Sequence, residues 1–125
     1  MNNRVLVVDD SLYMRARIKD TLKNAGFEIV GEAENGEKAI DLAMTLKPDI
    51  ITLDNILPDM IGIDILRVLK SEELLDVRII MISAVGQESV IQEGLAIGAE
   101  DYIVKPFTNE VLVEKLNMIR DRQLH

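Results

Sequence analysis

The chain is 125 residues long, the size of one domain with a sizeable core, and 48% of it is hydrophobic, which excludes disorder. Its 14 Lys and Arg stand against 22 Asp and Glu, a net charge of -8 that argues against binding nucleic acid or an anionic membrane. Cysteine is absent, so there is no disulfide framework, thiolate metal site or cysteine nucleophile, and with no Trp the core must come from Leu, Ile, Val, Ala and Met.

Short apolar runs alternate with segments of helical period. Val5-Leu6-Val7-Val8 is a β-branched run that stops at Asp9-Asp10, the pattern of a strand buried on both faces. Ser11 is predicted to cap a helix with Met14, Ile18, Leu22 and Ala25 on one stripe and Gly26 as its stop. Phe27 to Ala33 reads as a second strand, closed by the turn-like Glu34-Asn35-Gly36. Ala39, Ile40, Ala43 and Leu46 mark a helix ended by Pro48, and Ile50 to Leu53 a third strand that delivers Asp54. After Gly62, a short helix carries Ile65, Leu66 and Leu69. Arg78 to Ile82 is a fourth strand ending at Ser83, followed by a helix with Val90, Ile91 and Leu95 that stops at Gly98. Asp101 to Val104 is a fifth strand ending at Lys105-Pro106. Thr108 or Asn109 can cap the last helix, with Val111, Leu112, Leu116 and Ile119 on its stripe and the Met residues as core filler. Five strands alternating with five helices predict right-handed crossovers and a doubly wound parallel sheet covered on both faces. The N-terminus lacks a signal-peptide core and no apolar run reaches membrane-spanning length, so a cytoplasmic location is expected.

In such a sheet, ligands bind beyond the carboxyl ends of the strands. The residues delivered there are Asp9 and Asp10, Asp54, Ser83-Ala84 and Lys105-Pro106. Three carboxylates on one rim raise one another's pKa values unless a cation sits among them. Oxygen ligands without His or Cys favour Mg²⁺, which keeps waters and takes phosphate as a co-ligand. One carboxylate can then attack a phosphoryl donor to give an acyl phosphate, while Lys105 balances charge and Ser83 hydrogen-bonds the arriving oxygen.

Asp9-Asp10, Asp54 within Asp54-Asn55-Ile56-Leu57-Pro58-Asp59-Met60-Ile61-Gly62, Ser83-Ala84 and Lys105-Pro106-Phe107 together resemble the receiver domain of two-component response regulators, above all the stand-alone chemotaxis type. The resemblance covers essentially the whole chain, so a single receiver domain over residues 1–125, with no output domain, is expected. It implies a flavodoxin-like (βα)5 fold with strand order 2-1-3-4-5, and it makes Asp54 the phosphoacceptor. Asp10 and Asp54 would ligate Mg²⁺ through their side chains, Ile56 through its backbone carbonyl and Asp9 mostly through water. Lys105 would pair with the phosphoryl group, and the Lys105-Pro106 bond would be cis. Ser83 and Tyr102 would form the switch pair that remodels the surface of the fourth helix, fifth strand and fifth helix.

The implied partners are a histidine kinase of the CheA type as phosphodonor, a protein target such as the flagellar motor switch, and a phosphatase, with the chain itself a monomer. Chemotaxis is favoured over a sporulation-type phosphorelay by Val7-Val8-Asp9-Asp10-Ser11 and Ser83-Ala84-Val85-Gly86-Gln87. Bulky apolar residues at Ile56 and Val85, which flank the site in this family, lead us to expect slower self-dephosphorylation than with polar residues there. A Mg²⁺-dependent aspartate-nucleophile phosphohydrolase is disfavoured, because it would need a second acid where Ile56 stands and a cap domain. A flavin carrier would need a phosphate-binding loop where Asp9-Asp10 stands. A docking module that no longer takes phosphate would not keep every site residue. His125, the only histidine, sits at the very end and suits a chain that receives phosphoryl groups without donating them from histidine.

Overall fold

The computed structural model describes residues 3–72, 76–84 and 86–122. Val85 and His125, both considered above, lie outside them. The elements alternate in the order β1 Arg4–Val8, α1 Leu12–Asn24, β2 Glu28–Ala33, α2 Gly36–Leu46, β3 Ile50–Asp54, α3 Gly62–Ser71, β4 Arg78–Ala84, α4 Glu88–Ile97, β5 Asp101–Lys105 and α5 Asn109–Arg122. All strand pairs are parallel and the sheet order is β2-β1-β3-β4-β5, the doubly wound arrangement expected. No helix among the described residues is long and apolar enough to cross a membrane.

Local chemistry explains the boundaries. Ser11 caps α1, its hydroxyl accepting from the Met14 amide at 3.1 Å, and Gly26 ends the helix at φ 93°, a backbone region that suits glycine. Thr108, not Asn109, caps α5, accepting from the Val111 amide at 3.2 Å. The amino end of α2 is held twice: Asn35 accepts from the Lys38 amide at 2.8 Å, and the carboxylate of Asp59, from the β3–α3 loop, accepts from the Gly36 and Glu37 amides at 2.7 and 3.0 Å. These amide bonds hold the Asp59 carboxyl below its ordinary pKa.

Side-chain alternation along the strands sorts the interior into two layers. Leu6, Val8, Ile51, Leu53, Ile79 and Met81 face a core closed by Ala39 and Ala43 of α2 and by Ile63, Leu66 and Leu69 of α3. Val5, Val7, Ile50, Ile80, Ile82 and Ile103 face the other, closed by Ile18 and Leu22 of α1 and by Leu112, Leu116 and Ile119 of α5. Several details differ from the expectation. Strands β3, β4 and β5 run on to include Asp54, Ser83-Ala84 and Lys105, because the ladder continues to Asp54↔Ile82 and Ala84↔Lys105. Phe27 is buried but precedes β2, which is a half-exposed edge strand. Val111 is exposed on α5, and of the methionines Met81 is core while Met44 and Met118 face outward.

The β3–α3 loop folds back on itself, with an antiparallel bridge between Ile56 and Ile61 and a bond from the Leu57 amide to the Met60 carbonyl at 3.1 Å. Its return depends on Gly62, where an added Cβ would lie 2.8 Å from the Asp54 carbonyl oxygen and 2.9 Å from the Asn55 Cα. Both contacts are backbone, so neither can rotate away. Gly62→Ala should therefore destabilise the chain by about 1–3 kcal/mol in urea unfolding; an unchanged midpoint would show that the loop yields freely.

Candidate functional site

The alternation that builds the two layers also aims the polar residues at the strand ends. Asp54 and Lys105 continue the set of Ile50 and Ile103, and Asp9 that of Val5 and Val7, so all three extend the α1/α5 side of the sheet. Oxygens of Asp9, Asp10 and Asp54 all lie within 4.8 Å of one another. The Lys105 Nζ stands 3.1 Å from Asp9 Oδ2 and 3.4 Å from Asp54 Oδ1. Asp9 and Asp54 are 1% and 8% exposed, whereas Asp10 faces solvent. The strand ends thus bring together Asp9, Asp10, Asp54 and Lys105 as expected, and the Lys105-Pro106 bond is cis.

Burial is the main cause that lifts the Asp54 carboxyl above its ordinary pKa, and the charge of Asp9 adds to it; Lys105 opposes the shift and Asp10 reinforces it. For Lys105, burial is the largest single influence and pulls its pKa down, but the charges and hydrogen bonds of Asp54 and Asp9 outweigh it and the net shift is upward. One ammonium faces three carboxylates, so the cup keeps an excess of negative charge. Its all-oxygen donor set suits a hard divalent cation such as Mg²⁺.

Ser83 belongs to the opposite face, with Ile79 and Met81. It is 1% exposed, and its Oγ has no hydrogen-bond partner among the described residues, a buried donor of the kind that ordinarily requires explanation. Tyr102 pairs in register with Met81 and packs, half-buried, against the core on the side of α2 and α3, so it lies on the same sheet face as Ser83. The Lys115 ammonium lies 5.4 Å from the centre of its ring. Ile56 is 58% exposed in the β3–α3 loop.

Sequence reasoning missed the groups that hold this site in place. Arg15 is buried in α1 and donates from Nη1 to the Asp9 carbonyl at 2.7 Å and from Nε to Glu32 at 2.9 Å. Glu32 also pairs with Lys19, and these two partners keep its carboxyl below the ordinary value. Asp9 Oδ1 itself accepts from the Ser11 amide at 2.9 Å. The only sequence signal for Arg15 was a basic residue beside the buried stripe of α1.

Comparison with known proteins agrees with this geometry. The family model described as the response regulator receiver domain matches residues 5–117. The chain belongs to the response regulator receiver family. Receiver relatives include the chemotaxis protein CheY of Thermotoga maritima, 43% identical over 120 residues that cover 95% of this chain and 98% of that protein. CheY of Bacillus subtilis is 44% identical over 117 residues, covering 94% and 97%. Among solved structures, the response regulator domain of Thermotoga maritima CheB superposes with a TM-score of 0.82 at 37% identity, covering 94% of this chain and 93% of that one. The Borrelia burgdorferi CheX–CheY–BeF3–Mg²⁺ complex contains a chain matching with a TM-score of 0.85 at 32% identity, covering 93% and 87%.

An acid whose pKa is higher in the folded chain than in the unfolded one contributes stability that is intact below the unfolded value and lost as pH rises through the folded value. Ionised Asp54 therefore weighs against the folded state at neutral pH. In metal-free buffer at pH 7, Asp54→Asn should raise the melting temperature by roughly 3 °C, and Mg²⁺ should stabilise wild type more than the variant. A lower melting temperature for Asp54→Asn would mean that the cup is not under electrostatic load.

Proposed function

We propose that this chain is a phosphorylation-driven switch of the chemotaxis type, which accepts a phosphoryl group on Asp54 from a CheA-type histidine kinase and then binds a protein target such as the flagellar motor switch. The observation that carries this reading is the crowding of Asp9, Asp10 and Asp54 around Lys105 at the strand ends. The similarity to CheY proteins along nearly the whole chain supports chemotaxis, and with it a cytoplasmic location.

The chemistry follows from the residues. An Asp54 carboxylate oxygen attacks the phosphorus of the donor; the bond from phosphorus to the donor's leaving atom breaks, and its electron pair departs with that atom. The product is an acyl phosphate on Asp54. The Lys105 ammonium, already 3.4 Å from Asp54, pairs with a phosphoryl oxygen as negative charge spreads over the group. Ser83, whose hydroxyl has no partner among the described residues, turns it toward the new oxygen and donates a hydrogen bond there. Asp9, Asp10, Asp54 and the Ile56 carbonyl would hold Mg²⁺, which when bound neutralises the carboxylates and the phosphoryl oxygens. The exposed Ile56 side chain hinders attack by water and so lengthens the life of the acyl phosphate.

Ser83 and Tyr102 share one face of adjacent strands, so movement of Ser83 toward the phosphoryl group frees space toward which Tyr102 can turn. The face of α4, β5 and α5 then changes shape for the target. Phosphate drives this shift only as far as it binds one conformation better than the other. On this reading the chain catalyses only its own phosphorylation and dephosphorylation.

Incubation with Mg²⁺ and acetyl phosphate, followed by intact-mass spectrometry, should add one acid-labile phosphoryl group to wild type and none to Asp54→Asn. Lys105→Ala should slow the gain by at least about 10-fold. Labelling that persists in Asp54→Asn would refute the assignment.

A further inference from the structure

Lys105 sits at the end of β5, one of the two edge strands of the sheet, which pairs among the described residues only with β4. Its Nζ must nevertheless stay between Asp9 and Asp54, carried by two other strands. The segment that follows Lys105 is gripped from α1 by one side chain. Arg17 Nη2 donates to the Phe107 carbonyl at 2.6 Å, its Nε donates to Asn109 Oδ1 at 3.0 Å, and its guanidinium carbon lies 4.5 Å from the centre of the Phe107 ring. The Phe107 ring is itself buried in the core between the sheet and α1/α5.

Arg15 and Arg17 are two positions apart, about 200° around the helix. This is why Arg15 reaches the Asp9 carbonyl while Arg17 reaches the loop before α5. One helix therefore holds Asp9 at one contact and the strand exit of Lys105 at another. We propose that Arg17 is a positioning residue for Lys105, fixing the Lys105-Pro106-Phe107 segment to α1 so that the ammonium stands over Asp54 when the phosphoryl group arrives. A planar fork with a stacking face suits this task, and a lysine cannot reproduce it. The inference rests on phosphorylation at Asp54.

The test is the rate of phosphoryl gain from acetyl phosphate at saturating Mg²⁺, measured by intact mass. Arg17→Ala should lower it about 5- to 20-fold, since small misplacements of a charge-stabilising group are costly. Arg17→Lys, which keeps the charge without the fork, and Arg17→Met, which keeps the stem against Phe107, should lose about as much. In the Lys105→Ala background, Arg17→Ala should change the rate by less than about 2-fold, because the group it positions is gone. Mg²⁺ affinity by calorimetry should stay within about 2-fold, as Arg17 touches none of Asp9, Asp10 or Asp54. A mere loss of structure would instead slow both backgrounds alike and weaken Mg²⁺ binding, and either result overturns the inference. Full activity in Arg17→Lys would overturn it too, assigning the effect to charge at a distance. A labelled wild type with an unaffected Arg17→Ala refutes the inference alone; a wild type that gains no phosphoryl group refutes the functional reading and the inference together.

Discussion

Three carboxylates confined to one small cup, with a single ammonium to offset them, are the constraint on which the rest of the structure depends. Burial of Asp54, reinforced by the negative charges of Asp9 and Asp10, pushes its carboxyl upward even with Lys105 in contact. The folded chain thus holds the Asp54 carboxylate in an unfavourable state, which a cation or a proton would relieve. A parallel sheet makes this tolerable because its two packed layers supply the stability that the rim lacks. Leu6, Val8, Ile51, Leu53, Ile79 and Met81 on one face, and Val5, Val7, Ile50 and Ile80 on the other, are all essentially shut off from solvent.

The same period-two alternation divides the rim residues into two sets. Asp9, Asp54 and Lys105 extend the α1/α5 face, and Ser83 and Tyr102 belong to the opposite face, toward α2, α3 and α4. The buried carboxylates with Lys105 and the Ser83–Tyr102 pair therefore lie on opposite sides of one sheet. The buried Ser83 hydroxyl on the second face has no hydrogen-bond partner among the described residues.

The strand cores and the residues beyond them could be read along the chain because both are local patterns: a β-branched run, then an acid, hydroxyl or lysine at its end. The elements and the cup of Asp9, Asp10, Asp54 and Lys105 emerged from that pattern. What could not be read are the contacts between distant segments. The Asp59 carboxylate on the α2 amides spans 23 and 22 positions, and the grip of Arg17 on Phe107 spans 90. Spacing carries no trace of such pairs, since each residue alone looks like an ordinary surface charge. Arg15 was hidden for a related reason: a buried guanidinium is disfavoured on average, and only the Asp9 carbonyl and Glu32 make its burial acceptable. Val111 shows the converse, an apolar residue assigned to the buried stripe that α5 turns to solvent.

The most direct measurement is an NMR pH titration of the Asp54 carboxyl carbon, with and without Mg²⁺. Without the ion, Asp54 should titrate above the ordinary carboxylate range, and saturating Mg²⁺ should move its midpoint downward. A midpoint at or below the ordinary value without metal, unchanged when Mg²⁺ is added, would contradict the account.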